Sequence, residues 1–359
     1  MKTRYLDRPV SDAIKGVVLI FMFIHHFFMF PEWYVAGISY PGLSFFVRIL
    51  RWPLKICVSV FAFLTGYFYY LGEQKTYRYS FRKITDILIS YWAVYIPFLI
   101  LAMVLGYHQF NAATFALETF ALETAVMQFC WYVFFYCISM LLLPVAAKFS
   151  ADSLWTDVLL IGLLPVVAFT GLQQLTSAEI PGSVIASMKD WFPCMISGFL
   201  FAKYALFENA LDKISGKCRS GWGKILLWLL IVGAACIGRS AYPRFSPGRI
   251  SVLGEWTDLV INMDVFYAPL FVYGAANLLK LLKGNAVVKL LGHIGKQSLL
   301  MWFLHGIFFN VCKETTQPFL YCLRNPLLVL VFGLAVCYLA AVLINIPLKQ
   351  ILKLKNKYM

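Results

Sequence analysis

Most of the side chains that could do chemistry in this sequence lie inside apolar runs. Residues 15–30, KGVVLIFMFIHHFFMF, set Lys15, His25 and His26 among hydrocarbon. Lys15 and His26 are eleven residues apart. On a helix that is close to three turns, so the two share a face with about 16 Å of rise between them. His25 lies roughly 80° around from that stripe. A desolvated neutral imidazole can take a proton from a hydroxyl as the oxygen attacks a carbonyl, which makes His26 a candidate general base. His25 is either its orienting partner or a packed neighbour.

The next apolar run, SFFVRILRWPLKICVSVFAFLTGYFYY, carries Arg48, Arg51 and Lys55 at i, i+3 and i+7. On one uninterrupted helix the three project from one face. Snorkelling to headgroups accounts for Arg48 but serves Lys55, which falls deep in the run, poorly. A stripe of three cations suits a phosphate, a carboxylate or the negative charge that develops on an attacked carbonyl. A third group lies in LLGHIGKQSLLMWFLHGIFFN, where His305 falls about 13 Å beyond Lys296 and on the opposite face. Ser298 shares a face with His305. A buried histidine satisfied by that hydroxyl is as good a reading as a catalytic one. Asp264 needs a partner at its depth, and an arginine of the second helix would serve. Trp131 fits an interfacial anchor better than a substrate platform. The histidines are not spaced with carboxylates as metal ligands are, so no metal site is expected. Neither a Gly-rich phosphate loop nor a GxSxG elbow occurs.

The elements that must hold these groups follow from composition. The 359 residues are 61% hydrophobic and only 13% charged, about half the charged fraction of a soluble domain. Apolar runs near bilayer-crossing length recur from end to end. They predict an all-α, polytopic membrane bundle of about ten spans: 13–30, 45–71, 84–106, 125–147, 156–174, 188–206, 223–239, 257–280, 293–312 and 326–347. The first span holds polar groups and no small-residue cleavage site follows it, so it reads as a retained helix and not as a signal peptide. No hydrophilic segment suggests a separate soluble domain, so residues 1–359 read as one membrane domain with its core at 11–347.

The net charge of +14 does not point to nucleic acid, because the lysines and arginines cluster in alternate loops. Lys2, Arg4, Arg8 and Lys15, then Lys75, Arg78, Arg82 and Lys83, then Lys213, Lys217, Arg219 and Lys224, and the lysines of the tail all fall on one side. The first and third loops have none. Both termini are therefore expected in the cytoplasm. The seventh loop, GRSAYPRFSPGRISVLGEW, is basic on the outer side and so invites a task of its own. The nine cysteines show no CxxC spacing and read mainly as small buried hydrophobes, with Cys312 and Cys322 placed where they could pair across an outer loop. No internal repeat is evident, which disfavours a transporter of inverted halves.

At these residues the chain resembles the acyltransferase 3 family, integral membrane enzymes that acylate carbohydrates and related surface molecules. The family's basic residue, ten intervening residues and histidine are matched by Lys15 and His26. Its RxxR is matched by Arg48 and Arg51, and its Ser-Gly-aromatic by AFLTGYF with Thr65 in place of serine. Its closing Gly, Ser and His are matched by Gly295, Ser298 and His305. The resemblance runs from about Ser11 to Pro347 and implies a ten-helix core. It implies transfer of an acyl group, most often acetyl, from cytoplasmic acyl-CoA to a sugar hydroxyl, with no resident cofactor. The fused extracellular esterase-like domain of some relatives has no counterpart in the sequence, so transfer to the acceptor falls to this domain or to a separate partner.

With that implication, His26 is the expected base, either as a base alone or as carrier of the acyl group. Arg48 and Arg51 line the site, and Arg51 or Lys55 offsets oxyanion charge. Lys15 either holds His26 or meets the CoA diphosphate. Lys55, His25, His305 and Ser298 are expected around the substrates. The expected partners are acyl-CoA, a carbohydrate acceptor, the bilayer of a (bacterial) plasma membrane and glycan-synthesis machinery. Exopolysaccharide, teichoic acid, peptidoglycan and small secreted sugars all satisfy that acceptor description. Two other readings use the same residues. A transporter or flippase for an anionic glycan or lipid-linked sugar would line its path with these cations, and a structural partner of a polysaccharide synthase would use them as interhelical glue.

Overall fold

A computed structural model describes residues 5–72, 75–176, 179–214, 221–241, 249–251 and 260–358. The described residues are all-α apart from one short antiparallel pair, β1 (Arg249–Ser251) with β2 (Val260–Asn262), in which Ile250 faces Ile261. In order the helices are α1 (Arg8–Phe28), α2 (Ser44–Leu54), α3 (Ile56–Leu71), α4 (Tyr77–Val104), α5 (Ala112–Thr119), α6 (Trp131–Phe149), α7 (Leu154–Asp157), α8 (Leu164–Leu175), α9 (Glu179–Lys203), α10 (Leu206–Ile214), α11 (Gly221–Ala241), α12 (Asp264–Leu281), α13 (Ala286–Lys296), α14 (Ser298–His305), α15 (Lys313–Leu320) and α16 (Pro326–Tyr358). A π-helical stretch, Val158–Leu163, joins α7 to α8.

Among the described residues eight helical stretches are long and apolar enough to cross a bilayer. They correspond to the first seven predicted spans and the tenth, and they make this a polytopic helical membrane protein. The other two predicted spans take shorter forms. The eighth is represented by α12, which starts at Asp264. The ninth is not one helix. It breaks at Gln297, whose backbone (φ −98°, ψ 2°) leaves the helical region while its side-chain carbonyl accepts from Asn345 Nδ2 at 2.8 Å. The second predicted helix is also divided. Pro53 has no N–H to give the preceding turn, α2 stops at Leu54, and α3 starts after Lys55. Arg48, Arg51 and Lys55 therefore do not ride one uninterrupted helix. Most of the basic seventh loop lies outside the described residues. Cys312 and Cys322 are both free thiols.

The contacts sort into two compact units. One contains Met1–Phe21, Ile49–Lys75 and Leu142–Lys296, and the other Met22–Arg48, Thr76–Leu141 and Gln297–Met359. In the first, α3 packs on α9 and α12, and α11 on α12. In the second, α14 packs against α4 and α16, with α15 closing on α16. Loops of the second unit are tied by buried polar groups. Glu118, 1% exposed, accepts from Val126 N–H at 2.6 Å and from the Tyr95 hydroxyl at 3.0 Å. The Tyr91 hydroxyl and the Trp92 indole donate to the carbonyls of Glu118 and Thr119. These bonds fix the approach to the 3-10 turn Gln128–Cys130 that opens α6.

Candidate active site

The end of α1 places the histidine pair. Met29 N–H donates to the His25 carbonyl, and the Phe27 carbonyl, which a finished helix leaves without an intrahelical donor, accepts two phenols instead. Tyr34 donates at 2.8 Å and Tyr321 at 2.7 Å. Burial pushes both phenols above their ordinary range, so both stay protonated donors. The helix end is thus pinned from the following loop and from the turn after α15.

From this end His26 points its Nδ1 at His305 Nε2, 2.7 Å away, with the two rings 9° from parallel. His305 is fully buried, and its other nitrogen, Nδ1, bonds the Trp302 carbonyl one turn back on α14. A carbonyl oxygen only accepts, so His305 Nδ1 carries a hydrogen and, in the neutral ring, Nε2 carries the lone pair. His26 Nδ1–H is then the donor to His305. The same rule puts the lone pair of neutral His26 on Nε2. Two imidazoles and a backbone carbonyl therefore dictate one tautomer for each ring. This is the base-and-orienter logic of hydrolytic triads, with a second imidazole as the orienter.

Aromatic rings close around the pair. Phe129 stacks on His26 with centroids 4.4 Å apart, and Trp33 lies 6.0 Å from it. Trp33 in turn stacks on Phe30 at 3.8 Å and 7°. Two side-chain amides hold these rings in place. Gln317, 0% exposed, accepts from Val35 N–H at 2.8 Å and donates to the Trp33 carbonyl at 3.0 Å. Asn310 accepts from Gln128 N–H at 3.2 Å beside Phe129. His26, Trp33, Phe30 and Phe129 all keep partial exposure, so the imidazole is walled by π faces without being sealed. His25 is buried, edge-on to Phe30 at 4.8 Å and 5.3 Å from His26. The nitrogen that orients His26 Nδ1 comes from His305. Ser298 is buried at the start of α14, and the two ring nitrogens of His305 go to Trp302 and His26.

The remaining predicted residues sit in different surroundings. Arg48 is exposed, with its guanidinium 6.0 Å from the Phe45 ring. Arg51 is half-buried, and Lys55 lies 6.0 Å from the Trp191 ring. Lys15 pairs with Asp12 at 2.7 Å. Thr65 turns its hydroxyl back to the Phe61 carbonyl at 2.9 Å, and its neighbour Gly66 packs so closely that a Cβ there would lie 1.8 Å from the Met195 carbonyl oxygen of α9. In AFLTGYF the glycine is thus required for packing. Asp264 is fully buried, and its partner comes from α11 and not from the second helix. Arg239 grips it with Nε at 2.7 Å and Nη2 at 2.9 Å, the Ser59 hydroxyl adds a third bond, and Arg239 Nη1 donates to the Trp52 carbonyl. Trp131 opens α6 against Tyr132 and Phe135. Among the described residues no three His, Cys, Asp or Glu side chains gather as a metal site.

One family model, described as an acyltransferase domain, matches residues 9–346. The chain belongs to the acyltransferase 3 family. The match covers nearly its whole length, so this acyltransferase 3 protein is a membrane acyltransferase. Neither the comparison with curated proteins nor that with solved structures finds a match.

Sequence reasoning missed Trp33, Phe129, Arg239 and the Trp302 carbonyl. Trp33 had a weak signal, since Pro31, directly after Phe30 at the end of the first apolar run, marks a turn. The other three had none: a backbone carbonyl has no side-chain signature, and His26 and His305 meet across 279 positions.

Proposed function

We propose that the protein transfers an acetyl group from cytoplasmic acetyl-CoA to a hydroxyl of a cell-surface or secreted glycan, with His26 as general base. The observation that supports this most is the hydrogen-bond relay from the Trp302 carbonyl through His305 to His26 Nδ1, which leaves the lone pair of His26 on Nε2.

The chemistry balances with that one atom. Nε2 takes the hydroxyl proton as the sugar oxygen attacks the thioester carbonyl carbon. The tetrahedral intermediate collapses, the C–S bond breaks, and the Nε2 proton passes to the departing CoA thiolate. While His26 is protonated, its Nδ1–H bond to His305 Nε2 lets the second imidazole share the charge. Arg48, which belongs to the same unit as His26, is assigned to the negative charge of the acceptor. Trp33 and Phe129 offer the flat apolar faces that suit the C–H side of a pyranose.

Purified protein in liposomes, given acetyl-labelled acetyl-CoA and a panel of glycan acceptors, should move label to an acceptor. Intact thioester with every acceptor, together with counterflow of a lipid-linked sugar, would replace the enzyme reading with a transporter.

A further inference from the structure

α16 buries one narrow face, on which Val329, Gly333, Cys337 and Ala341 follow at four-residue spacing. Glycine is a poor helix former, so one inside a 33-residue helix calls for a packing reason. Here the reason is an aromatic ring. A Cβ on Gly333 would lie 2.8 Å from Cζ of Phe27, closer still to its Cε2, and 3.1 Å from Cδ1 of Leu320. Phe27, Leu320 and Gly333 belong to one compact unit, and the fully buried Phe27 ring rests against the bare backbone of α16.

Phe27 directly follows His26, so the seat of this ring bears on the imidazole. The Tyr34 and Tyr321 hydroxyls hold the Phe27 carbonyl while α16 holds its ring, which fixes the residue from two directions. The ring cannot absorb an intrusion alone, because Phe23, Phe308 and Phe309 stand around it with centroids 5.2, 5.9 and 5.7 Å away. A methyl at position 333 must gain about 1 Å to reach ordinary van der Waals contact. The packed ring hands that displacement to the end of α1.

We propose that Gly333 is a positioning residue for His26: its missing side chain seats Phe27 so that His26 Nδ1 meets His305 Nε2 at 2.7 Å. Gly333 touches no reacting atom and acts through its neighbour. The assignment rests on His26 as the base of the proposed acyl transfer.

The test is a size exchange in the full-length protein in liposomes, with Gly333→Ala, Phe27→Leu and the double variant. It reads kcat and KM for acetyl transfer and the nitrogen-15 signal of His26 Nδ1–H. Gly333→Ala should lower kcat by about tenfold to a hundredfold with KM within about threefold of wild type, and should shift the Nδ1–H signal. Phe27→Leu removes the ring atoms that the methyl would meet. The double variant should therefore turn over within about threefold of Phe27→Leu alone. Wild-type kcat and an unmoved His26 signal in Gly333→Ala would overturn the assignment. Lower turnover with an unmoved signal would overturn it too, leaving Gly333 as packing only. If Gly333→Ala does not fold, Phe27→Leu, which empties the seat without overpacking, decides: it should lower kcat by about fivefold and shift the signal, and no change in either would overturn the assignment. A shifted signal in Gly333→Ala of a protein that transfers no acetyl group would uphold the positioning while the acyl-transfer reading failed.

Discussion

Asp264 and His305 are both fully buried, yet their surroundings end differently. Asp264 receives a two-pronged arginine and a serine hydroxyl, and the charge it brings is cancelled where it sits. His305 passes its hydrogen-bond demand outward, from the Trp302 carbonyl to a second imidazole that is only half-buried. A closed network of this kind holds helices together, because every charge and lone pair is answered locally. A relay from a buried carbonyl through one imidazole to the Nδ1 of a half-buried second one leaves Nε2 as the basic nitrogen of that ring, which suits the proposed proton transfer. Depth in the membrane alone therefore does not distinguish a catalytic polar group from a structural one. The distinction lies in whether the partners cancel a charge or fix a basic nitrogen.

That contrast predicts where activity and stability should part. His26→Ala removes the proposed base and should lower acetyl transfer by about 10³-fold or more, with expression and melting temperature near wild type. Arg239→Ala should do the opposite, leaving Asp264 buried and unanswered at a cost of about 3–5 kcal/mol. The double change Arg239→Met/Asp264→Leu should recover most of that loss in thermal unfolding. If the double variant stays as unstable as the single, the network is not the closed pair drawn here.

The relay itself can be graded. His305→Leu should reduce turnover by about 10²-fold through loss of the acceptor for His26 Nδ1–H. His305→Gln, whose amide oxygen can accept that hydrogen, should keep a larger share of turnover. Equal loss in both would deny His305 an orienting role. Smallest of all, Gln317→Leu should strand Val35 N–H and the Trp33 carbonyl at a cost of about 1–3 kcal/mol. It should raise KM for the acceptor more than it lowers kcat, because it loosens the loop that carries Trp33 and touches no reacting atom.

The sequence made some of this legible and hid the rest for physical reasons. The membrane class and most spans follow from long apolar runs, since a helix crossing hydrocarbon needs about twenty predominantly apolar residues in a row. Lys15 and His26 could be placed on one helix because eleven residues is a property of α1 alone. The stripe of Arg48, Arg51 and Lys55 looked continuous until Pro53 divided it, a local rule that was available but outweighed by hydropathy. Gln297 could not be foreseen, because the break goes with a bond to Asn345 on α16. The His26–His305 bond lay equally out of reach, since it belongs to how α1 and α14 pack and not to either segment. The same holds for Arg239, which reaches Asp264 from the last turn of α11.

His26 presents its lone pair on Nε2 because His305 holds Nδ1–H. Imidazole nitrogen-15 shifts of histidine-labelled protein, assigned by loss of signal in His26→Ala, read that tautomer directly. The relay predicts a protonated Nδ1 and a pyridine-like Nε2 for the neutral His26 ring. A neutral His26 ring protonated at Nε2 instead would contradict it.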